Sequence, residues 1–358
     1  MEVWQKVFLS DAEFVQSTHG KVGCVICHGG DSRAQAKEIA HTGLVADPSE
    51  ITCNTCHSDI FQAHAASLHG TLSGYDSILE ARGGNLEEGS PLATAFENHC
   101  AQCHTSCGQC HISRPAELGG GLVSGHQFRK TPSTQYNCVA CHGSRVGAEY
   151  LGENEGIPAD VHWTKASMTC TKCHGEELHG SGQSVATRYE NPALVKCEDC
   201  HLDVWTNTAD NPQHEKHLGD LSCQVCHSLA YKNCYSCHVA IDEKGLPFRT
   251  SAPSEMYFEI GRNPIRSSER PYKYVVLRHV PTSADTFDYY GENLLPNFNE
   301  LPTWKYATPH NIQLHTPQNE SCNACHGNKD LFLTEEDVSP VEREANKGVI
   351  VTDVPEPK

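Results

Sequence analysis

No apolar run in this chain approaches the roughly 20 residues of a membrane span. The pattern predicts short helices and loops instead of long buried elements. Asp47-Pro48-Ser49-Glu50 combines an N-cap, a proline at N1 and an acidic residue at N3 just before Cys53. Asn191-Pro192 does the same before Cys197, and Thr316-Pro317 before Cys322. Tyr272-Lys273-Tyr274-Val275-Val276-Leu277 alternates as a short strand, and Pro and Asn break its surroundings into loops. Val349-Ile350-Val351, ahead of Pro355 and Pro357, reads either as a plain tail or as an edge strand added to a partner.

The cysteines change this picture. All 20 fall in C-x-x-C pairs, and a histidine follows each of the ten pairs directly. The first five are Cys24-Cys27-His28, Cys53-Cys56-His57, Cys100-Cys103-His104, Cys107-Cys110-His111 and Cys138-Cys141-His142. The others are Cys170-Cys173-His174, Cys197-Cys200-His201, Cys223-Cys226-His227, Cys234-Cys237-His238 and Cys322-Cys325-His326. C-x-x-C-H is the attachment signature of c-type haem: two thioether links hold the macrocycle and the adjacent imidazole is the proximal iron ligand. One helical turn puts both cysteines and the histidine around one macrocycle edge. Zinc ribbons do not require a histidine at that position, a thioredoxin-like pair occurs once beside a βαβ pattern, and structural disulfides leave the histidines unexplained.

On these motifs, which run from residue 24 to 326, the chain resembles the multihaem c-type cytochromes. The resemblance implies ten covalently attached haem c groups. At 358 residues for ten motifs there is about 36 residues of chain per haem, too little for a domain around each. The expected fold is therefore mostly short helices and loops wrapped around a closely packed haem chain, with little β-structure. The 38% hydrophobic content agrees. A formal charge of -18 speaks against nucleic acid and anionic lipid as partners. Basic redox proteins or extracellular electron acceptors remain. The start, Met1-Glu2-Val3-Trp4, lacks a basic segment and an apolar core of a signal peptide. Since the family attaches its haem outside the cytoplasm, the expectation is an extracellular or cell-surface protein, with the periplasm as alternative, whose signal peptide is removed or absent from this version.

Motif spacing suggests a loose duplication, with residues 19–111 and 126–238 as the two copies. It divides the chain into an N-terminal four-haem module (1–118), a five-haem module (119–238), a cysteine-free, aromatic-rich cover or interface arm with some strand (239–321), and the tenth haem with the C-terminal tail (322–358). Of the 23 histidines, thirteen lie outside the motifs, and twelve of these are the candidates for distal iron ligands: His19, His41, His64, His69, His99, His126, His162, His179, His217, His279, His310 and His315. His217 and His315 are preferred over His214 because they precede Cys223 and Cys322 closely. The supply argues for bis-histidine coordination at most or all haems, with ring nitrogens oriented by carbonyls or carboxylates.

Iron held by two side chains has no open position for substrate, so no enzyme activity is expected. The function implied is outer-sphere electron transfer through stacked haems, with the isolated tenth haem and the aromatic arm suited to a head-to-tail filament. The alternative is a monomeric or complex-bound shuttle or conduit. A hydroxylamine-oxidoreductase-like enzyme would need one five-coordinate iron. The nitrite-reductase C-x-x-C-K motif is absent from the sequence.

Overall fold

The computed structural model describes residues 12–84, 86–103, 105–115, 118–190, 195–206 and 211–358. The chain start, the Asn191-Pro192 cap and His104 lie outside the described residues. Two compact units are present. The first comprises Met1–Ser73, Gln102–Gly143 and Thr169–Arg188; the second comprises Gly74–Ala101, Ser144–Met168 and Tyr189–Lys358. Helix dominates, in pieces mostly of three to nine residues.

The first unit is a set of short helices connected by glycine-rich loops, and it has no apolar core of its own. Among its described residues Pro115 is buried, but no Val, Leu, Ile, Met, Phe, Trp or Tyr is. Apolar side chains beside its motifs face outward instead, with Ile26 65% and Ile51 69% exposed. The buried groups are polar and hydrogen-bonded. Ser49 Oγ accepts from Gly108 N at 2.8 Å, and Asn137 Nδ2 donates to the carbonyls of Gln109 and Ser113 at 2.7 and 2.9 Å.

The second unit has a conventional core built on short antiparallel sheets. Strand β1 (Tyr231–Asn233) pairs with β4 (Glu255–Tyr257), β2 (His238–Ile241) with β3 (Pro247–Thr250), and β6 (Tyr274–His279) lies between β5 (Ile260–Arg262) and β7 (Trp304–Tyr306). The period-two alternation of a strand sorts β6 between two clusters. Val276 packs with Val225, Tyr231, Ile260 and Phe332, whereas Val275 and Leu277 pack with Trp304, Leu333 and Val349. The C-terminal Val349-Ile350-Val351 is part of this core: Val349 O accepts from Arg262 N and Val351 N donates to Leu333 O, both at 2.8 Å. A third cluster joins helices Ser73–Gly83 and Pro91–His99 to the loop carrying Phe287, Leu295 and Phe298. There the buried Arg82 guanidinium donates to the carbonyls of Phe298, Leu301 and Pro302. These sheets are more β-structure than the motif pattern suggests, and they gather between residues 231 and 306, where aromatic and β-branched residues are dense.

Candidate functional site

The C-x-x-C-H segments mostly form the helical turns their spacing favours. Cys24–His28, Cys107–His111 and Cys223–His227 are single turns, and Cys170–Cys173 and Cys322–Cys325 are shorter ones. Serine caps start several of them: Ser106 Oγ accepts from Gln109 N, and Ser321 Oγ from Ala324 N. Before Cys322, Thr316 and Asn319 form a reciprocal capping box around Pro317. The 234–238 motif departs from helix. Ser236 takes φ 49°, Cys237 N donates to Pro281 O at 2.8 Å, and His238 opens β2. Pairing of this segment to neighbouring strands takes over from the local turn.

The non-motif histidines are presented by small devices of their own. Ser17-Thr18-His19-Gly20 and Ser67-Leu68-His69-Gly70 share one arrangement, in which the serine hydroxyl accepts from the glycine N–H and starts a turn that holds the imidazole. Both glycines are forced by close backbone approach. A Cβ on Gly20 would sit 1.9 Å from Phe14 O, and one on Gly70 would sit 2.2 Å from His64 O. Helix Pro212–His217, capped by Asn211, carries His214 and His217 one turn apart.

These rings meet the motif rings in pairs. Among the described residues, seven imidazole pairs have centroids 6.0–6.2 Å apart: His19–His57, His28–His126, His69–His142, His111–His179, His162–His201, His214–His227 and His217–His326. Each pair joins one C-x-x-C-H histidine to one histidine from outside the motifs. Two imidazoles binding opposite sides of one metal, at about 2 Å per metal–nitrogen bond, have their centroids about 6 Å apart. The angles between ring planes run from 14° to 89°, and any such angle fits, because both planes need only contain the shared axis.

The outer ring nitrogens are fixed by hydrogen bonds. His28 Nδ1 donates to Val45 O at 2.8 Å, His111 Nδ1 to Arg129 O at 2.6 Å, His227 Nδ1 to Gln313 O at 3.1 Å and His326 Nδ1 to Glu356 O at 3.1 Å. On the opposite side, His217 Nδ1 donates to Gln213 O and His162 Nδ1 to Asp160 Oδ1, both at 2.8 Å. A carbonyl at Nδ1 keeps the proton there and leaves the Nε2 lone pair for a metal. Burial pulls the pKa of His19, His69, His126, His142 and His227 below the ordinary value, which favours the neutral ring. Among the described residues no three His, Cys, Asp or Glu side chains converge as a protein-only metal site.

The other expected ligands have different settings. His64 Nε2 lies 3.3 Å from Thr105 Oγ1, and His99 Nε2 lies 2.8 Å from the Tyr290 hydroxyl. The His310 ring is 6.5 Å from Tyr150, and His310 N donates to Glu149. His41 and His315 are exposed. His279 is buried with both ring nitrogens engaged: Nδ1 at 2.7 Å from Cys234 O, and Nε2 at 3.0 Å from the Glu342 carboxylate. His214, passed over for its neighbour on proximity alone, faces His227. The signal that points to it is the i, i+3 spacing from His217, which sets two rings on adjacent edges of one short helix.

No helix among the described residues is long and apolar enough to cross a membrane. No protein-family model matches the chain, and no solved structure matches it. Among curated proteins, the multihaem cytochrome MtrC of Shewanella baltica (strain OS185) is 26% identical over 132 residues, which are 37% of this chain and 19% of that protein. The chain thus spans about a fifth of that relative's length, and the similarity to a named multihaem cytochrome is distant.

Proposed function

We propose that this chain is a decahaem c-type cytochrome that conducts electrons through bis-histidine haems. The observation that carries the reading is the set of seven imidazole pairs, each with one motif ring and one non-motif ring at the separation of two axial ligands. The twenty motif cysteines hold the macrocycles. The motif histidines are the proximal ligands, and His19, His69, His126, His162, His179, His214 and His217 are the distal ligands of the paired sites. His41, His64, His99, His310 and His315 remain for the irons at His104, His174 and His238, and His279 is a structural residue. The motif cysteines and each facing imidazole pair would hold a haem between them, and its iron would supply single-electron exchange. At the seven paired sites both facing imidazoles would be ligands, which leaves no position there for a substrate and favours electron transfer over bond chemistry.

The first unit supports this independently. It holds five whole motifs and no aliphatic or aromatic core residue other than Pro115 among its described residues, so the macrocycles serve as its core. Covering a large exposed apolar side chain such as Ile26 or Ile51 contributes about 1.5–3 kcal/mol.

In the same reading the protein works outside the cytoplasm and passes electrons to redox proteins or an extracellular acceptor. It assembles head to tail as a filament subunit, and the exposed His41 and His315 are imidazoles open to a neighbouring copy. Intact-mass spectrometry of natively matured protein tests the first part: ten haem masses are expected, and an unmodified chain would overturn it. Electron microscopy of native extracellular material tests the second. Long fibres built from this chain are expected, whereas discrete particles would make it a shuttle or conduit subunit.

A further inference from the structure

Contacts between motifs specify an order that follows the chain but passes over some of its motifs. In the first unit, Thr52 Oγ1, next to Cys53, donates to Cys27 O at 3.1 Å. His19, just before Cys24, faces His57 of the Cys53 motif. The Cys53 and Cys107 side chains are close enough to interact, and Ser49 Oγ accepts from Gly108 N at 2.8 Å beside them. Asn137, next to Cys138, donates to Gln109 O inside the Cys107 motif at 2.7 Å. The Cys138 thiol meets the Cys170 thiol, and Cys170 N donates to Thr134 Oγ1 at 3.5 Å.

The second unit repeats the device. The Cys197 and Cys223 side chains are close enough to interact with each other. Cys226 O accepts from Thr316 Oγ1 at 2.6 Å and from Asn319 Nδ2 at 2.9 Å, both just ahead of Cys322. Cys226 and Cys325 also pack on one apolar cluster. His214 and His217, one turn apart on a single helix, face His227 and His326 respectively.

We infer that the haems form two ordered runs, one through the Cys24, Cys53, Cys107, Cys138 and Cys170 motifs and one through the Cys197, Cys223 and Cys322 motifs. Each thioether sulfur marks the rim of one macrocycle, so sulfurs in contact place two rims side by side, where an electron passes with least loss of electronic overlap. The Cys100 motif is skipped between its chain neighbours Cys53 and Cys107. The Cys234 motif is skipped between Cys223 and Cys322. The tenth motif is therefore no isolated terminus; it continues from the eighth.

This inference rests on the decahaem reading, and the experiment separates the two. Natively matured protein is weighed for its haem content, and the same preparation is taken to an atomic map by electron cryomicroscopy. The expected map has the iron at His57 flanked by those at His28 and His111, the iron at His142 flanked by those at His111 and His174, and the iron at His227 flanked by those at His201 and His326. A fully loaded chain in which the Cys100 haem stands between those of Cys53 and Cys107, or the Cys234 haem between those of Cys223 and Cys322, overturns the order alone. A chain without haem overturns both.

Discussion

The imidazole of His217 faces that of His326 with ring centroids 6.2 Å apart, and each ring is held from behind by a backbone carbonyl, Gln213 O and Glu356 O respectively. The C-terminal motif histidine thus faces a helix that lies far before it in the sequence.

If His217 is the ligand its placement opposite His326 proposes, replacing it takes away one iron ligand while Cys322, Cys325 and His326 stay. In matured H217A protein, one haem is expected to turn from low-spin to high-spin, seen by electron paramagnetic resonance and by a charge-transfer band. Added imidazole restores the low-spin signal. H214A is expected to do the same at the haem of His227, as a separate event. An unchanged low-spin count in either variant would remove that pair from the ligand set.

His279 is the contrasting case, since its two nitrogens are occupied by Cys234 O and the Glu342 carboxylate, and its ring stacks on Tyr235 at 4.1 Å. H279A is expected to leave every haem low-spin. Its effect is on stability, because it strips a buried carboxylate of its partner, which destabilises by about 3–5 kcal/mol. Denaturant unfolding of holoprotein measures this, and a new high-spin haem in H279A would show that the ring serves iron.

Which parts of this were legible in the sequence follows from range. A C-x-x-C-H segment contains its own geometry, since positions i and i+3 share a helix face, and the turns at 24–28, 107–111 and 223–227 form as read. The strand read at 272–277 appears as Tyr274–His279. Partner choice belongs to tertiary packing. Nearness in sequence favours His217 for the Cys223 motif, but His214 takes that place and His217 faces His326. His19 and His126 hold similar positions ahead of their motifs, yet they face His57 and His28, motifs other than the next in line. His279 stands at the end of a buried strand, and nothing in its neighbourhood in the sequence reveals Glu342.

Glu259 gives a pH dependence. Burial, followed by the charges of Asp337 and Asp330, pushes its carboxyl up to about 8, and its Oε2 is buried with no hydrogen-bond partner. Below the ordinary value of 4.5 both folded and unfolded chains hold this proton. From there to about 8 the unfolded chain releases it while the folded chain keeps it, so stability falls as pH rises. The full loss is on the order of 5 kcal/mol. E259Q cannot titrate, so its stability relative to the parent is expected to rise steadily from pH 5 to pH 8 and then level off. A constant difference across that range would show that Glu259 is ionised in the fold.

Glu149 and Arg278 form a buried ion pair in the second unit, and Glu149 also accepts from His310 N at 2.9 Å. The pair links helix Ala148–Leu151 to β6 and to the segment carrying a candidate ligand. Desolvation raises the Glu149 pKa while Arg278 opposes it, so the carboxylate depends on that guanidinium. Removing either partner leaves the other charge buried: R278M or E149L alone is expected to destabilise by about 3–5 kcal/mol. The double variant carries no unpaired charge and is expected to recover most of that loss, which a double-mutant cycle by denaturant unfolding measures. Additive losses would mean that the two residues contribute through separate contacts. The spin state of the haems in E149L then reports on His310. A new high-spin signal places that imidazole on an iron whose ligand is positioned by Glu149, and an unchanged spectrum assigns Glu149 to the fold alone.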